Sequence, residues 1–196
     1  MPAIDWDAMT WLNPPPSAVI AGDALQVATG DRADFWVETG YGFTHDDGHL
    51  LAVPLGGDAS IELTFTGDFS AEYDQAGLML RAGPDLWLKA GVEVAHGEFL
   101  ASAVVTVGHS DWAVTPLPAE AARGPITIRL VRVRDAVAVR YGTGDGGAPH
   151  LLRLAYLPPD AELVVGPFCC SPTRAGLVVR FGPMRIEPAP DDPLAG

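Results

Sequence analysis

Trp87, Lys89 and Glu93 share one parity within the short segment Leu86–Val94. Side chains two residues apart in an extended chain point the same way, so an indole, an ammonium and a carboxyl project from one face. Leu86, Leu88, Ala90, Val92 and Val94 form an apolar face opposite them. The pattern recurs on both sides. In Gln75–Arg81, Ala76, Leu78 and Leu80 oppose Gln75, Gly77, Met79 and Arg81. In Phe99–Val107, Phe99, Ala101, Ala103 and Val105 oppose Leu100, Ser102, Val104 and Thr106. Set side by side, the mixed faces bring Gln75, Arg81, Trp87, Lys89, Glu93, Ser102 and Thr106 together. A solvated face normally carries more Lys, Glu and Thr. This one carries two glycines and a tryptophan, which points to a close approach by something else.

Sugar recognition needs an apolar platform under the ring C–H groups and directional donors and acceptors around it. Trp87, Trp112, Trp36 and Tyr73 are candidate platforms. Gln75, Lys89, Glu93, Arg81, Ser102 and Asp111 are candidate polar contacts. Asp74 ends the strand beside Glu93, and His49 opens a strand placed to point into the same hollow. Lys89 is the sole lysine among twelve basic residues, the other eleven being Arg, which favours a placed role over a solvating one. The plainer alternative makes the tryptophans core residues and lets Lys89 and Glu93 neutralise each other through a polar network. Their Cα atoms lie ~13 Å apart on one strand, too far for a direct pair without bending.

Other chemistries have less support. Glycoside hydrolysis needs two carboxyls about 5 to 5.5 Å or about 6.5 to 9.5 Å apart, and Glu93 has a strand-end partner only in Asp74. His45, Asp46, Asp47 and His49 resemble a metal loop, but Asp-Asp-Gly is ordinary turn chemistry. No metal or other cofactor is expected. Cys169 and Cys170 are adjacent, about 3.8 Å apart at Cα, which disfavours a disulfide between them. They read as two reduced thiols on opposite faces of a strand. No nucleotide-binding Gly-rich loop and no Gly-x-Ser-x-Gly elbow occurs.

The elements that must hold these residues are strands. Gly (22) and Pro (18) punctuate short Val-, Leu- and Ile-rich runs, a pattern of antiparallel β structure. Twelve strands are predicted: 25–29, 49–53, 60–67, 75–81, 86–94, 99–107, 112–117, 126–134, 136–141, 150–156, 162–168 and 176–181. That number outgrows one open sheet, so the expected fold is all-β, two packed antiparallel sheets in a jelly-roll sandwich. The 196 residues make one domain over 1–187 and a mobile C-terminal tail over 188–196. The first residues lack a secretory pattern and no apolar run is long enough to span a membrane. Together with reduced thiols, this places the protein in the cytoplasm. With 25 acidic and 12 basic residues the formal charge is −13, a field that repels a phosphate backbone and excludes nucleic acid as a partner.

Several blocks carry a family resemblance: Asp34-Phe35-Trp36, Thr39-Gly40-Tyr41-Gly42-Phe43, Asp47-Gly48-His49, Gly67-Asp68-Phe69, Tyr73-Asp74-Gln75-Ala76-Gly77, Trp87-Leu88-Lys89-Ala90-Gly91-Val92-Glu93, Ser110-Asp111-Trp112 and Val165-Gly166-Pro167-Phe168. In this order they resemble the "regulation of enolase protein" family of unknown function, in the concanavalin A-like lectin/glucanase superfamily. The resemblance runs from about Trp6 to Glu187. It implies a jelly-roll sandwich with a concave face, and no reaction. The Glu-x-Asp-x-Glu strand of the superfamily's glycosidases is absent. The expected function is therefore non-catalytic, lectin-like binding of a carbohydrate or other polar small molecule on the concave face. A cytoplasmic regulatory protein that binds another protein is the second reading, with edge strands available for a homodimer. A glycoside-active enzyme is third.

Overall fold

A computed structural model describes residues 3–194. The strands are β1 (Thr10–Leu12), β2 (Ser17–Ala21), β3 (Ala24–Ala28), β4 (Phe35–Val37), β5 (Thr44–Asp46), β6 (His49–Leu55), β7 (Ala59–Gly67), β8 (Gln75–Gly83) and β9 (Leu86–Ala95). They continue with β10 (Glu98–Val107), β11 (His109–Pro116), β12 (Ile126–Val133), β13 (Ala136–Thr143), β14 (His150–Tyr156), β15 (Leu163–Cys170), β16 (Val178–Phe181) and β17 (Arg185–Pro188). Two short 3-10 turns, Trp6–Ala8 and Ala119–Arg123, interrupt them. Among the described residues, no helix is long and apolar enough to cross a membrane.

One sheet runs β1-β6-β15-β8-β9-β10-β11. The other runs β14-β13-β12-β7-β16-β3-β2, with β17 also paired to β7. All pairings are antiparallel. The facing sides form the main core. Leu78, Leu80, Leu88, Ala90, Val92, Ala103 and Val105 of the first sheet meet Leu63, Phe65, Ile128, Leu130, Val137 and Val139 of the second. The alternation in β8, β9 and β10 sends Gln75, Lys89, Glu93 and Ser102 to the opposite, concave side. A slip of one residue would exchange the two sets, so burial of the apolar face fixes the register. The β9–β10 hairpin is further set by His96 and Gly97, both at positive φ (53° and 78°), the combination a tight two-residue turn requires.

All twelve predicted strands are present. Five further ones, β1, β2, β4, β5 and β17, are three to five residues long, too short for periodicity to reveal. The boundary predicted at 187 falls inside β17, whose Arg185–Pro188 pairs with β7. The Leu194 carbonyl accepts a hydrogen bond from Arg140 Nη2 at 2.6 Å. The last two residues of the predicted tail lie outside the described range.

The β4–β5 hairpin forms a separate two-stranded sheet and lies over one end of the concave face. Phe35 is fully buried against Leu50, Met79, Trp87, Val104 and Phe168 in a second apolar cluster. Polar ties hold the hairpin down. Arg81 donates two bonds to the Asp46 carboxylate, at 2.7 and 2.8 Å. Ser110 Oγ accepts from the Val37 amide at 2.9 Å, and Asn13 Nδ2 donates to the Asp46 and Gly48 carbonyls.

Candidate functional site

The remainder of the concave face, beside the hairpin, encloses a partly open cavity of about 180 Å³. Trp36 of β4, Tyr41 and Phe43 of the β4–β5 loop, Tyr73 ahead of β8 and Trp112 of β11 supply aromatic walls. Asp34, Gln75, Lys89 and Glu93 supply the polar lining, with Val104 and Pro172. Tyr41 and Phe43 stack with ring centroids 5.3 Å apart, and Tyr41 meets Trp36 edge-on at 5.8 Å. The Tyr73 hydroxyl is hydrogen-bonded to Tyr41. Burial first, and then that bond, raise its pKa.

Lys89 is buried at 3% exposure. Its ammonium donates to Asp34 Oδ1 at 3.2 Å, the Phe35 carbonyl at 2.7 Å and Gln75 Oε1 at 2.8 Å. Burial is the strongest single influence on this group and acts to lower its pKa. The nearby acidic groups, Asp34 foremost and then Cys170 and Glu93, together outweigh it and hold the pKa above the usual lysine value. The ion-pair partner of Lys89 is thus Asp34, one residue ahead of β4, and not the Glu93 of its own strand that the plainer alternative offered.

Glu93 is also buried. Its Oε2 accepts from Ser102 Oγ at 2.9 Å, and Ser102 Oγ in turn accepts from Trp112 Nε1 at 3.0 Å. Burial lifts the Glu93 pKa from 4.5 to about 7, against the opposing pull of Lys89 and the Ser102 bond, while Asp34 adds to the rise. Between those pH values the native protein keeps a proton that the unfolded chain has released. The stability from this proton is complete below the unfolded value and is lost as pH rises through about 7, a decline of about 3 kcal/mol from this group. Urea midpoints measured across that range should fall with rising pH in the wild type. In Glu93→Gln that part of the slope should vanish; an unchanged slope would reject this account.

Of the residues the sequence marked for binding, Gln75, Lys89, Glu93, Tyr73 and Trp112 meet at the cavity. Trp36, a candidate platform, joins them. The others have different surroundings. Trp87 is fully buried under the hairpin, its ring 6.3 Å from Phe35, and its Nε1 donates to the Pro84 carbonyl. Arg81 is the clamp on Asp46. Ser102 stands behind Glu93 as a relay to Trp112. Asp74 accepts from the Ser70 and Ala71 amides and from Arg174, tying two loops together. His49 accepts from the Gly30 amide at Nε2 and donates from Nδ1 to the Asn13 carbonyl, so both ring nitrogens are engaged. Asp111 pairs with Arg153, a bond that lowers its pKa. The close approach announced by Gly77 and Gly91 is that of one strand's backbone to the other's, at the register pair Gly77–Gly91. Asp34, Tyr41 and Phe43 were missed as site residues. For Tyr41 and Phe43 the signal was the dense aromatic run 35–43, which lacks the alternation of a long strand; Asp34 just ahead of it carried none. Both thiols are free and buried, Cys169 in the main core and Cys170 in the concave cluster. Burial drives the pKa of each upward.

Two packed antiparallel sheets, with a cavity on the outer face of one of them, define a jelly-roll β-sandwich. The chain belongs to the family described as Protein of unknown function (DUF1349), which it matches over residues 11–189. Regulation of enolase protein 1 of Saccharomyces cerevisiae is 36% identical over 172 residues, 88% of this chain and 85% of that protein. The crystal structure of a functionally unknown protein from Saccharomyces cerevisiae is 34% identical, with a TM-score of 0.89 over 95% of this chain and 100% of that one. A GH43 protein from Bacillus licheniformis shares the fold at 15% identity, with a TM-score of 0.68 over 94% of this chain and 38% of that one.

Proposed function

We propose that the protein is a non-catalytic, lectin-like binding module whose concave face receives a carbohydrate or other polar small molecule. The observation that carries this reading is the cavity itself, with five aromatic side chains around a floor of Gln75, Lys89, Glu93 and Asp34. Aromatic walls with a few convergent polar groups are the usual construction of a small-ligand site. Catalysis has less support, because Asp34 is committed: its Oδ1 accepts from Lys89 and from the Phe35 amide.

A glycan array and calorimetry with soluble sugars test the proposal. Binding is expected, and Tyr41→Ala should weaken it roughly three- to tenfold. Tyr41 is 59% exposed at the cavity mouth, so the fold should be unaffected. Silence in both assays would sink the proposal.

The name of the 36% identical yeast relative favours a second reading, regulation of another protein by direct contact. Pull-down with purified enolase and mass measurement by size exclusion separate the two.

A further inference from the structure

The hydrogen-bonding state of the cavity narrows its ligand. An ammonium has three donors, and those of Lys89 are spent on Asp34, Phe35 and Gln75. The Trp112 Nε1 donor is spent on Ser102 and that of Trp36 on the Thr39 carbonyl. The positive charge on the floor therefore has no direction left in which to hold an anion. Among the charged groups, spare capacity lies on the acceptor side. The Glu93 carboxyl draws on two side-chain donors, Ser102 and the Trp112 indole, against roughly four lone-pair sites on an ionised carboxylate.

The charge balance points the same way. Lys89 and Asp34 cancel as a pair, which leaves Glu93 as the charge a ligand can still compensate. Burial of that carboxyl is costly when ionised, and the cost is relieved by an incoming cation. Faces of aromatic rings attract cations through the ring quadrupole. Trp36, Tyr41, Phe43, Tyr73 and Trp112 surround the space above Glu93. The net charge of −13 favours cations over anions at longer range.

We propose that the cavity is a receptor site for a small organic cation, a protonated or methylated ammonium group seated against Glu93 with its C–H groups on the aromatic walls. This rests on the binding-module reading and commits it to one charge class. The Gln75 amide nitrogen supplies a neutral donor for a hydroxyl on the same ligand. Titratable groups facing Glu93 are Lys89 on its own strand, Asp34 ahead of β4 and Tyr73 ahead of β8. The first two are locked in their own pair. Binding should therefore strengthen from about pH 5 to about pH 8 as Glu93 ionises, with proton release to the buffer on binding near neutrality.

Calorimetry compares choline and glucosamine with the neutral glucose and N-acetylglucosamine, on wild type and Glu93→Gln. Near-identical circular dichroism establishes that the variant is folded. The ammonium compounds are expected to bind at least about tenfold more tightly than the neutral ones, and Glu93→Gln should lose that preference. Equal binding of neutral and charged compounds overturns the cation assignment. So does an unchanged preference in Glu93→Gln, or no ammonium binding up to millimolar concentration. If the glycan array is positive while the ammonium compounds are silent, the binding module stands and the cation assignment falls. Silence in both removes both.

Discussion

Replacing Lys89 with methionine lowers the unfolding free energy by about 3–5 kcal/mol, the range for stripping one partner from a buried ion pair. The loss has three sources. Asp34 keeps a buried charge without its cation, and the Phe35 carbonyl and Gln75 Oε1 lose their donor. The methionine chain matches the lysine stem in length, so little of the effect comes from lost packing. The same ammonium joins β8, β9 and the start of β4, so its loss also frees the hairpin that covers Trp87. Urea unfolding of Lys89→Met, Asp34→Asn and the double variant gives the coupling directly. The double variant should be less damaged than the sum of the singles. Additive losses, or a Lys89→Met midpoint equal to wild type, would show that the pair does not hold the hairpin.

Gly77→Ala should cost on the order of 4 kcal/mol or prevent folding. A Cβ built on Gly77 overlaps the Ala90 carbonyl oxygen and lies 2.6 Å from Gly91 Cα. Both obstacles are backbone of the neighbouring central strand, which cannot swing aside as a side chain can. Gly91 meets the same difficulty in reverse, overlapping the Ala76 carbonyl oxygen. β8 and β9 would have to part at the middle of the sheet that carries Lys89 and Glu93. Gly56→Ala is the control, since its Cβ meets nothing within 4 Å, and it should shift stability by less than about 0.5 kcal/mol. Thermal melts of the two variants decide the matter; similar midpoints would reject the backbone-clash argument.

Concave-side residues were legible because strand parity is local chemistry. Gln75, Lys89, Glu93 and Ser102 could be assigned one face from the alternation of their own strands. The same logic failed for Trp87 and Arg81. Their parity is right, but the hairpin of β4 and β5 covers them, and a three-residue strand leaves no periodic trace. Asp74 and His49 were placed near the site by their sequence neighbours. Their hydrogen bonds run to Arg174, Gly30 and Asn13 instead.

The alternation of apolar and mixed residues by itself determined that this chain forms two packed sheets and which side chains leave the core between them. That follows because direction along a strand reverses at each residue, whatever the rest of the chain does. Tertiary structure alone decided which part of the concave face stays open and which carboxylate holds the lysine. Lys89 and Asp34 are 55 residues apart, and contacts of that span depend on how the chain folds back, which no local pattern encodes.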